Sequence, residues 1–462
     1  MTQAMSAADI AARMDRLPPS KHMWGLVVLL SLGGCFEFYD LFMTAYVSPG
    51  LIADGVFHGA EKGMFGLTDQ AAFAAATFAG LFIGTIVFSQ LADRFGRRAI
   101  FTWSLIWYSA ATVVMAFQTT ALGVDIWRLI SGIGIGVELV TIDTYITEFV
   151  AKEIRGRALA INQFIQFLAV PTVALVCWWL VPLSPWGIAG WRWVMLAGAV
   201  AAVAVWVIRA RVPESPRWLA SHGRIEEAHA ILTRIEAKVE AELGRPLPVA
   251  TAQPSAEVRE GRFSEIFRPP YRRRTIMLAV FNFAQTIGFY GFGNWVPSLL
   301  AAQGASVTKS LLWSFIIAIA YPIGPLMFST IADRIERKWQ IVAAAIGTAT
   351  FGLLFTQQTG AAALITFGVL ITLSNNLLSY AYHAYQAELF PTRIRARAVG
   401  FVYSWSRLST VLTSFMIAFF LRDFGTIGVF VFIAVAMGVV VVVIGGFGPR
   451  TRHQTLEQIS GH

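Results

Sequence analysis

The chain has 462 residues, of which 56% are hydrophobic and only 14% are charged, and its mean hydropathy is +0.61. A soluble chain of this size could not bury so much apolar surface, so the composition excludes an ordinary soluble domain and indicates a membrane protein. The formal net charge of +9 is also typical of nucleic-acid-binding proteins, and only the positions of the basic residues distinguish the two classes.

Apolar runs of about 20 residues, long enough to cross a ~30 Å hydrocarbon core, recur along the whole chain. We therefore predict an all-α membrane protein with twelve spanning helices. No small-residue cleavage site follows the first run, so we interpret it as a retained helix rather than a signal peptide. The predicted spans are 24–46, 71–92, 99–119, 122–147, 158–182, 190–209, 275–300, 310–331, 339–357, 360–386, 398–421 and 424–447.

Lysines and arginines cluster in alternate loops, in the central polar segment and at both termini. By the positive-inside rule, both termini and the central segment are cytoplasmic, which requires an even number of spans. This topology explains the basic charge without a nucleic-acid partner. The short tails and the absence of extracellular glycosylation loops favour a bacterial inner membrane. The basic residues outside this pattern are Lys62, Arg128, Arg192, Lys309, Arg407 and Arg422.

The chain divides into two halves, 1–210 and 275–462, joined by a polar connector at 211–274 that contains a predicted amphipathic helix at 224–243. The halves repeat at an offset of 240 residues, and such parallel halves place a substrate site between them near the bilayer midplane. At this offset, 91–94 matches 331–334, Tyr145 matches Tyr385, Glu148 matches Glu388, Arg155 matches Arg395, and Arg157 matches Arg397.

Charged residues recur at the cytoplasmic helix ends of both halves. We predict that they form ion pairs holding the two halves together on the cytoplasmic side, with solvated loop charges as the alternative. Losing one member of a desolvated pair costs roughly 3–5 kcal/mol, enough to shift an inward/outward equilibrium. The residues assigned to this cytoplasmic gate are Asp93, Arg97, Glu148, Arg155, Asp333, Glu388 and Arg395.

Short motifs at the helix ends carry a family resemblance over the full length. They are Asp-Arg-Phe-Gly-Arg-Arg at 93–98, Arg128 with Gly132, Gly134 and Gly136, Arg-Gly-Arg at 155–157, Pro-Glu-Ser-Pro-Arg-Trp-Leu at 213–219, Glu-Leu-Phe-Pro-Thr-Arg at 388–393 and Thr-Leu-Glu at 455–457. The chain resembles the sugar porter branch of the major facilitator superfamily and its organic-ion relatives. The resemblance implies two pseudo-symmetric six-helix bundles. Ser89, Ser329 and Glu336 depart from it, standing where the family's loop motif has glycine.

Ionisable residues inside the predicted spans are costly and are therefore candidates for function. The resemblance implies a proton-coupling pair of Asp40 in the first span and Arg128 in the fourth. Because an arginine cannot give up its proton whereas a desolvated carboxylate can accept one, protonating Asp40 would release Arg128. A purely structural pair is the alternative. Glu37, Glu138 and Asp143 are further candidates, either for a second proton or for structural pairs.

The positions at which sugar porters bind sugar are only partly retained. The fifth span keeps its Asn-Gln-Phe at 162–164, but two of the three amides of the seventh span are gone. An imidazole and a guanidinium stand instead on the tenth and eleventh spans, and a guanidinium suits a carboxylate better than a neutral hexose. An ion pair with a neighbouring helix is the alternative for the arginine. The predicted substrate-binding residues are Arg407, His383, Gln163, Gln285, Tyr290, Asn376 and Tyr380.

Nothing in the sequence resembles a metal site, a nucleotide-binding loop or a nucleophile elbow, and Cys35 and Cys177 both lie inside predicted spans. The sequence therefore predicts no enzyme and no cofactor. It predicts a monomeric transporter that moves a small organic anion, an aromatic or sugar acid, together with protons by alternating access. The alternatives are a sugar or polyol symporter, a drug or organic-cation exporter, and a non-transporting nutrient sensor.

Overall fold

The computed structural model describes residues 6–58, 68–151, 154–209, 212–250, 262–329 and 335–451. This part of the chain folds into seventeen α-helices and contains no β-strand. The helices are α1 (Ala7–Asp15), α2 (Lys21–Ala53), α3 (Asp69–Phe95), α4 (Arg97–Ala116), α5 (Ala121–Phe149), α6 (Arg155–Phe167), α7 (Ala169–Leu180), α8 (Gly190–Arg209), α9 (Pro216–Ser221), α10 (Ile225–Leu243), α11 (Tyr271–Gly293), α12 (Val296–Ala302), α13 (Val307–Ala318), α14 (Ala320–Ser329), α15 (Arg337–Thr356), α16 (Ala361–Glu388) and α17 (Thr392–Phe447).

These helices provide the twelve predicted spans. Ten segments are long and apolar enough to cross a membrane, and α17 is counted once among them. The chain reverses within α17 at Gly425, whose φ of +64° favours glycine, so α17 contributes two spans. Helix α8 supplies the remaining one. The fifth and eighth spans are each interrupted, as α6–α7 and α13–α14, because Pro171 and Pro322 lack the N–H that would continue the helix.

Two apolar cores correspond to the two halves of the chain. One is centred on α2 to α8 and contains residues such as Phe42 and Trp191, and the other is centred on α11 to α17 and contains Phe281 and Tyr385. The halves contact each other mainly through α3 against α17 and through α6–α7 against α13–α14. The fold is therefore the predicted arrangement of two six-helix bundles, with their interface lined by these helices.

Close approach of α3 and α5 positions the completely buried Arg128. A Cβ atom at Gly132 would lie 2.6 Å from the carbonyl oxygen of Thr77 on α3, so only glycine permits this spacing. The contact brings Arg128, one turn earlier on α5, beside the Thr77 hydroxyl. The glycines that follow Arg128 in the sequence thus place its guanidinium against α3.

The connector helices α9 and α10 form a third apolar core with α1 and the ends of α2 and α5. Glu236 on α10 accepts hydrogen bonds from Arg13 and Arg16 of α1 at 2.5 and 2.6 Å. Glu242 accepts from the backbone N–H groups of Lys21 and His22 at the start of α2, at 2.5 and 3.0 Å. The predicted amphipathic helix at 224–243 is therefore α10, and it fastens the N-terminal helix to the first bundle.

Candidate transport site

Asp40 on α2 and Arg128 on α5 form a buried ion pair, with 2.8 Å between Arg128 Nη1 and Asp40 Oδ2. Arg128 is completely buried and Asp40 is 5% exposed. The second Asp40 oxygen accepts from the Thr112 hydroxyl at 3.1 Å, and Ser131 donates to Oδ2 at 3.1 Å. The predicted partners are in contact, and the carboxylate is held by side chains from two helices, α4 and α5.

Arg128 has further acceptors on α2 and α3. Its Nη2 donates to the carbonyl oxygen of Asp40 and to the Thr44 hydroxyl, both at 2.6 Å, and its Nε donates to Thr77 at 2.8 Å. A buried guanidinium with this many acceptors keeps its charge solvated by protein dipoles when one acceptor is lost. The arrangement allows the Asp40 carboxylate to become neutral without leaving Arg128 wholly unpaired.

Arg407 on α17 lies in a group of aromatic side chains at the bundle interface, which we call the Arg407 cluster and define as Arg407, Tyr290, Tyr382, Tyr403 and His383. Arg407 is 3% exposed, and its Cζ lies 5.1 Å from the centroid of the Tyr403 ring. Its Nη2 donates to the Tyr403 hydroxyl at 3.4 Å, and Tyr290 and Tyr382 are close enough to interact with its charge.

No carboxylate lies within ion-pair distance of Arg407 among the described residues, and its Nε has no hydrogen-bond partner there. Burying such a group without compensation is unfavourable, and tyrosine faces and hydroxyls offset only part of that cost. Within the described residues, Arg407 therefore does not form the alternative ion pair with a neighbouring helix. The guanidinium retains a donor for an additional anion.

Glu37 on α2 is completely buried and lies near the Arg407 cluster, where its charge interacts with both Tyr290 and Arg407. It is three residues from Asp40, which places both acids on a similar side of α2. Glu37 therefore connects the first bundle electrostatically to the cation on the second bundle.

His383 and Asp143 occupy equivalent positions of the two halves, 240 residues apart, and both are exposed. The His383 ring stacks on Tyr382 at 4.1 Å and lies 5.9 Å from Tyr403. Because its Nδ1 contacts the Ser379 carbonyl at 2.7 Å, that nitrogen is the donor. Asp143 accepts from Asn162 at 2.9 Å. His383 thus joins the Arg407 cluster, whereas Asp143 belongs to the wall of the first bundle.

The other predicted site residues are more scattered. Gln163 is half-buried and makes no hydrogen bond within the described ranges, while Gln285 is buried and donates to Thr286 at 3.1 Å. Tyr380 is half-buried on α16. Glu138 is completely buried and accepts from Ser104 at 3.3 Å, away from both the ion pair and the Arg407 cluster.

Asn376 has a structural partner. Its amide nitrogen donates to the carbonyl oxygens of Ala320 and Tyr321, at 3.2 and 3.1 Å. Both carbonyls lie in the first turn of α14, and that of Tyr321 lacks its helical donor because Pro325, four residues later, has no N–H. The Asn376 amide nitrogen therefore satisfies backbone carbonyls of α14, and only its oxygen, which has no partner in the part of the chain that the structure describes, remains for a substrate.

Aromatic contacts close the bundle interface beside the Arg407 cluster. Phe78 on α3 packs edge-on against Tyr290 at 4.8 Å, and Phe42 on α2 packs against Tyr321 at 5.5 Å. At the end of the molecule opposite the connector, Gln70 donates to Ser298 at 2.7 Å. The two bundles are thus joined on the side that the positive-inside rule assigns to the exterior.

At the connector end, the predicted gate residues pair within each half. Arg97 binds Glu148 at 3.2 Å in the first half, and at the equivalent positions Arg337 forms an ion pair with Glu388 in the second. Each of these two ion pairs joins helices of one bundle, so neither bridges the halves in this structure. Arg395 donates to the Phe390 carbonyl at 3.1 Å.

The remaining gate residues are not placed in ion pairs. Arg155 is half-buried, and like Arg395 it makes no ion pair within the described residues. The side chain of Asp93 and the whole of Asp333 lie outside the part of the chain that the structure describes. The gate role of these residues stays a prediction.

In each half, a glutamate links the segment after the sixth span to the start of the third span. In the first half this glutamate follows the sixth span, and in the second half it precedes the third span. In the first half, Glu214 follows α8 and accepts from the backbone N–H groups of Arg97 and Arg98, at 3.2 and 3.3 Å. Burial raises the pKa of Glu214, although these donors oppose the shift. In the second half, Glu336 precedes α15 and accepts from the N–H of Thr451, after α17, at 2.9 Å. The departure at Glu336 thus preserves the contact.

Sequence reasoning missed several members of this site. Tyr403 was overlooked although it lies one helical turn before Arg407, a spacing that places both on one face. Arg337 was overlooked although the 240-residue offset from Arg97 indicates it. Thr44, Thr77, Thr112 and Ser131 carry no recognisable signal, since hydroxyl residues are common inside membrane helices.

Known proteins similar to this chain are transporters. A model of the family described as sugar (and other) transporter matches residues 26–461. The chain is 31% identical to the putative metabolite transport protein YyaJ of Bacillus subtilis over 446 residues, 96% of each chain. It is 29% identical to the niacin transporter NiaP of Acinetobacter baylyi, over 98% of this chain and 99% of that protein. Its fold is similar to the partially occluded inward open conformation of the xylose transporter XylE from E. coli, with a TM-score of 0.73, 19% identity and coverage of 94% and 100%.

Proposed function

Since the chain belongs to the sugar (and other) transporter family of the major facilitator superfamily and is therefore a multi-pass membrane transporter rather than an enzyme, we propose that it moves a small organic carboxylate in symport with protons. Arg407 binds the carboxylate, and Asp40 with Arg128 carries the proton coupling. Both termini are cytoplasmic, and the membrane is a bacterial inner membrane.

The buried Arg407 guanidinium without a carboxylate partner among the described residues carries this proposal. A substrate carboxylate would supply the missing acceptors through charge-assisted hydrogen bonds, which a planar guanidinium can donate in parallel. A neutral sugar offers this guanidinium no anionic acceptor. The rings of Tyr290, Tyr382 and Tyr403 form apolar walls around the cation, which favours a flat aromatic acid over a sugar acid. The relative named as a niacin transporter agrees with this class, because niacin is an aromatic carboxylate.

A contiguous set of contacts supports coupling between the proton and the substrate. Arg128 donates to Thr77 at 2.8 Å, the next residue Phe78 packs on Tyr290 at 4.8 Å, and Tyr290 lies beside Arg407. When Asp40 takes up a proton and loosens its hold on Arg128, α3 can shift at the point where it contacts the substrate site. One proton moving with one monovalent anion is electroneutral, so the pH gradient alone drives the transport.

The test is binding of carboxylates and sugars to the purified protein. Benzoate, nicotinate, gluconate, xylose and arabinose are compared by the rise in melting temperature that each produces, since a ligand of the native state stabilises it by mass action. We expect shifts with the aromatic acids and their loss in Arg407→Gln. Tyr403→Phe, which keeps the ring but removes the hydroxyl acceptor, serves as the matched control and retains binding. Shifts with sugars alone would overturn the carboxylate proposal in favour of a sugar symporter.

A further inference from the structure

An apolar groove of about 570 Å³ runs along the outside of the second bundle between α11 and α17. On α11 its lining follows one helical face through Ile276, Val280, Phe283 and Ile287. From Ile276 to Ile287 the helix rises about 16 Å, roughly half of a ~30 Å hydrocarbon core. The groove therefore has the length of a single membrane leaflet.

The groove ends in an aromatic group at the connector side. Phe267 packs on Phe401 at 5.2 Å, and Phe401 packs on Trp405 at 6.4 Å. Phe267 is 43% exposed and Trp405 is 37% exposed. Exposed aromatic side chains at the end of an apolar helix face are typical of the membrane–water interface. This end of the groove thus lies at headgroup depth, on the side that the positive-inside rule assigns to the cytoplasm.

Exposed arginines stand beyond the aromatic group. Arg272 continues the α11 face one turn before Ile276, and Arg268 lies three residues before the start of the helix, with its carbonyl accepting from the Arg272 N–H at 2.9 Å. Both side chains are exposed, and neither makes an ion pair within the described residues. Glu265, the acid of this short segment, accepts from the backbone N–H of Arg262 at 2.8 Å. The charge at the mouth of the groove is therefore positive.

We propose that this groove is a binding site for one anionic phospholipid of the connector-side leaflet. Its acyl chain lies along Ile276, Val280 and Phe283, and its phosphate is bound by Arg268 and Arg272. A zwitterionic lipid fits the apolar groove equally well, but its added cation is repelled by the arginines. The juxtaposition of a leaflet-length apolar groove with unpaired guanidinium groups at its end selects an acidic headgroup.

The test counts the lipids retained by the detergent-purified full chain in native mass spectrometry, with dioleoyl phosphatidylglycerol and dioleoyl phosphatidylcholine added in turn. We expect phosphatidylglycerol to bind the wild type more tightly, and Arg268→Gln/Arg272→Gln to weaken it about 25-fold. Each arginine beside an anionic surface contributes about a fivefold gain. Phosphatidylcholine binding stays unchanged in this variant. In Val280→Trp, which fills the groove, both lipids bind more weakly.

Arg422→Gln removes an exposed arginine from the opposite end of the bundle and serves as the matched control, with unchanged lipid binding. The proposal is overturned if the double variant retains phosphatidylglycerol as the wild type does, or if Val280→Trp leaves binding of both lipids unaffected. If 10 mM inorganic phosphate is sufficient to displace phosphatidylglycerol, the site binds phosphate rather than a lipid, and the proposal is overturned. The melting temperature in detergent without added lipid checks that each variant folds.

Discussion

Replacing Asp40 by asparagine leaves the size of the side chain unchanged but removes the charge that faces Arg128. The carboxylate oxygen at 2.8 Å from Arg128 becomes either a neutral carbonyl or an amide donor. Asparagine therefore imitates protonated Asp40 permanently. If the pair couples protons to transport, the variant still binds and exchanges substrate but no longer uses a proton gradient.

The size of the effect follows from the acceptors that remain. Losing one member of a buried ion pair costs roughly 3–5 kcal/mol. Arg128 keeps the Asp40 carbonyl and the hydroxyls of Thr44 and Thr77, so we expect a cost near the lower limit, about 3 kcal/mol. Applied to the equilibrium between the conformations of a transporter, this is a change of roughly a hundredfold in their populations.

The assay is uptake of labelled benzoate or nicotinate into proteoliposomes, once with an inward proton gradient and once as counterflow without a gradient. We expect Asp40→Asn to abolish accumulation above equilibrium and to retain counterflow. Thr112→Val is the matched control, because it removes one hydrogen bond to Asp40 but keeps the charge, and it should retain accumulation. Gradient-driven accumulation by Asp40→Asn at the wild-type level would refute the coupling role of the pair.

Three further variants test other parts of the molecule. Glu37→Gln removes a negative charge that competes for Arg407, so we expect carboxylates to bind about tenfold more tightly, and weaker binding in a titration would contradict the competition. Glu336→Ala releases the chain at Thr451, which should make the C-terminal segment more sensitive to trypsin while Glu336→Gln preserves part of the protection. Burial alone would raise the pKa of Glu236, but the hydrogen bonds and charges of the two α1 arginines lower it below 4.5. The stability it contributes, about 1 kcal/mol, is therefore present above pH 4.5 and lost as the pH falls through the lowered pKa. Lower protection factors of the α1 amides at low pH, after correction for the intrinsic pH dependence of amide exchange, check this linkage, and Glu236→Gln should reproduce them at neutral pH. Equal protection factors at both pH values would exclude it.

The fold was predictable because the membrane imposes a length and a composition on every span. The 240-residue offset located Glu148 and Glu388, and the structure places each beside an arginine of its own half. The sequence could not indicate which helices these arginines join, since a charge at a helix end has neighbours on both bundles. The interruptions of the fifth and eighth spans were also missed, although Pro171 and Pro322 mark both of them.

Side-chain partners were harder to predict than positions. Asp40 and Arg128 were assigned as a pair through a family resemblance, and their contact is observed. Asn376 was assigned to the substrate, but its amide nitrogen donates to two backbone carbonyls of α14, in the eighth span. An asparagine inside a membrane helix satisfies whichever donor or acceptor the neighbouring helix leaves open, and that depends on a local irregularity of the partner. The partner of such an asparagine therefore becomes apparent only in the folded structure, where both helices are in contact.

Glu214 and Glu336 make the same type of contact, a carboxylate bound to backbone N–H groups, in the two repeated halves. The segment that carries the carboxylate differs between the halves. In the first half the glutamate follows α8, the sixth span, and in the second half it precedes α15, the third span of that half. A residue-by-residue comparison of the halves matches Gly96 with Glu336 and finds no common feature there. The two arrangements are not interchangeable, because Gly96 has a φ of +99°, which favours glycine, whereas Glu336 has a φ of −53°. In the first half the acid therefore stands on the segment after α8, where Glu214 reaches the N–H groups of Arg97 and Arg98 without a side chain at position 96.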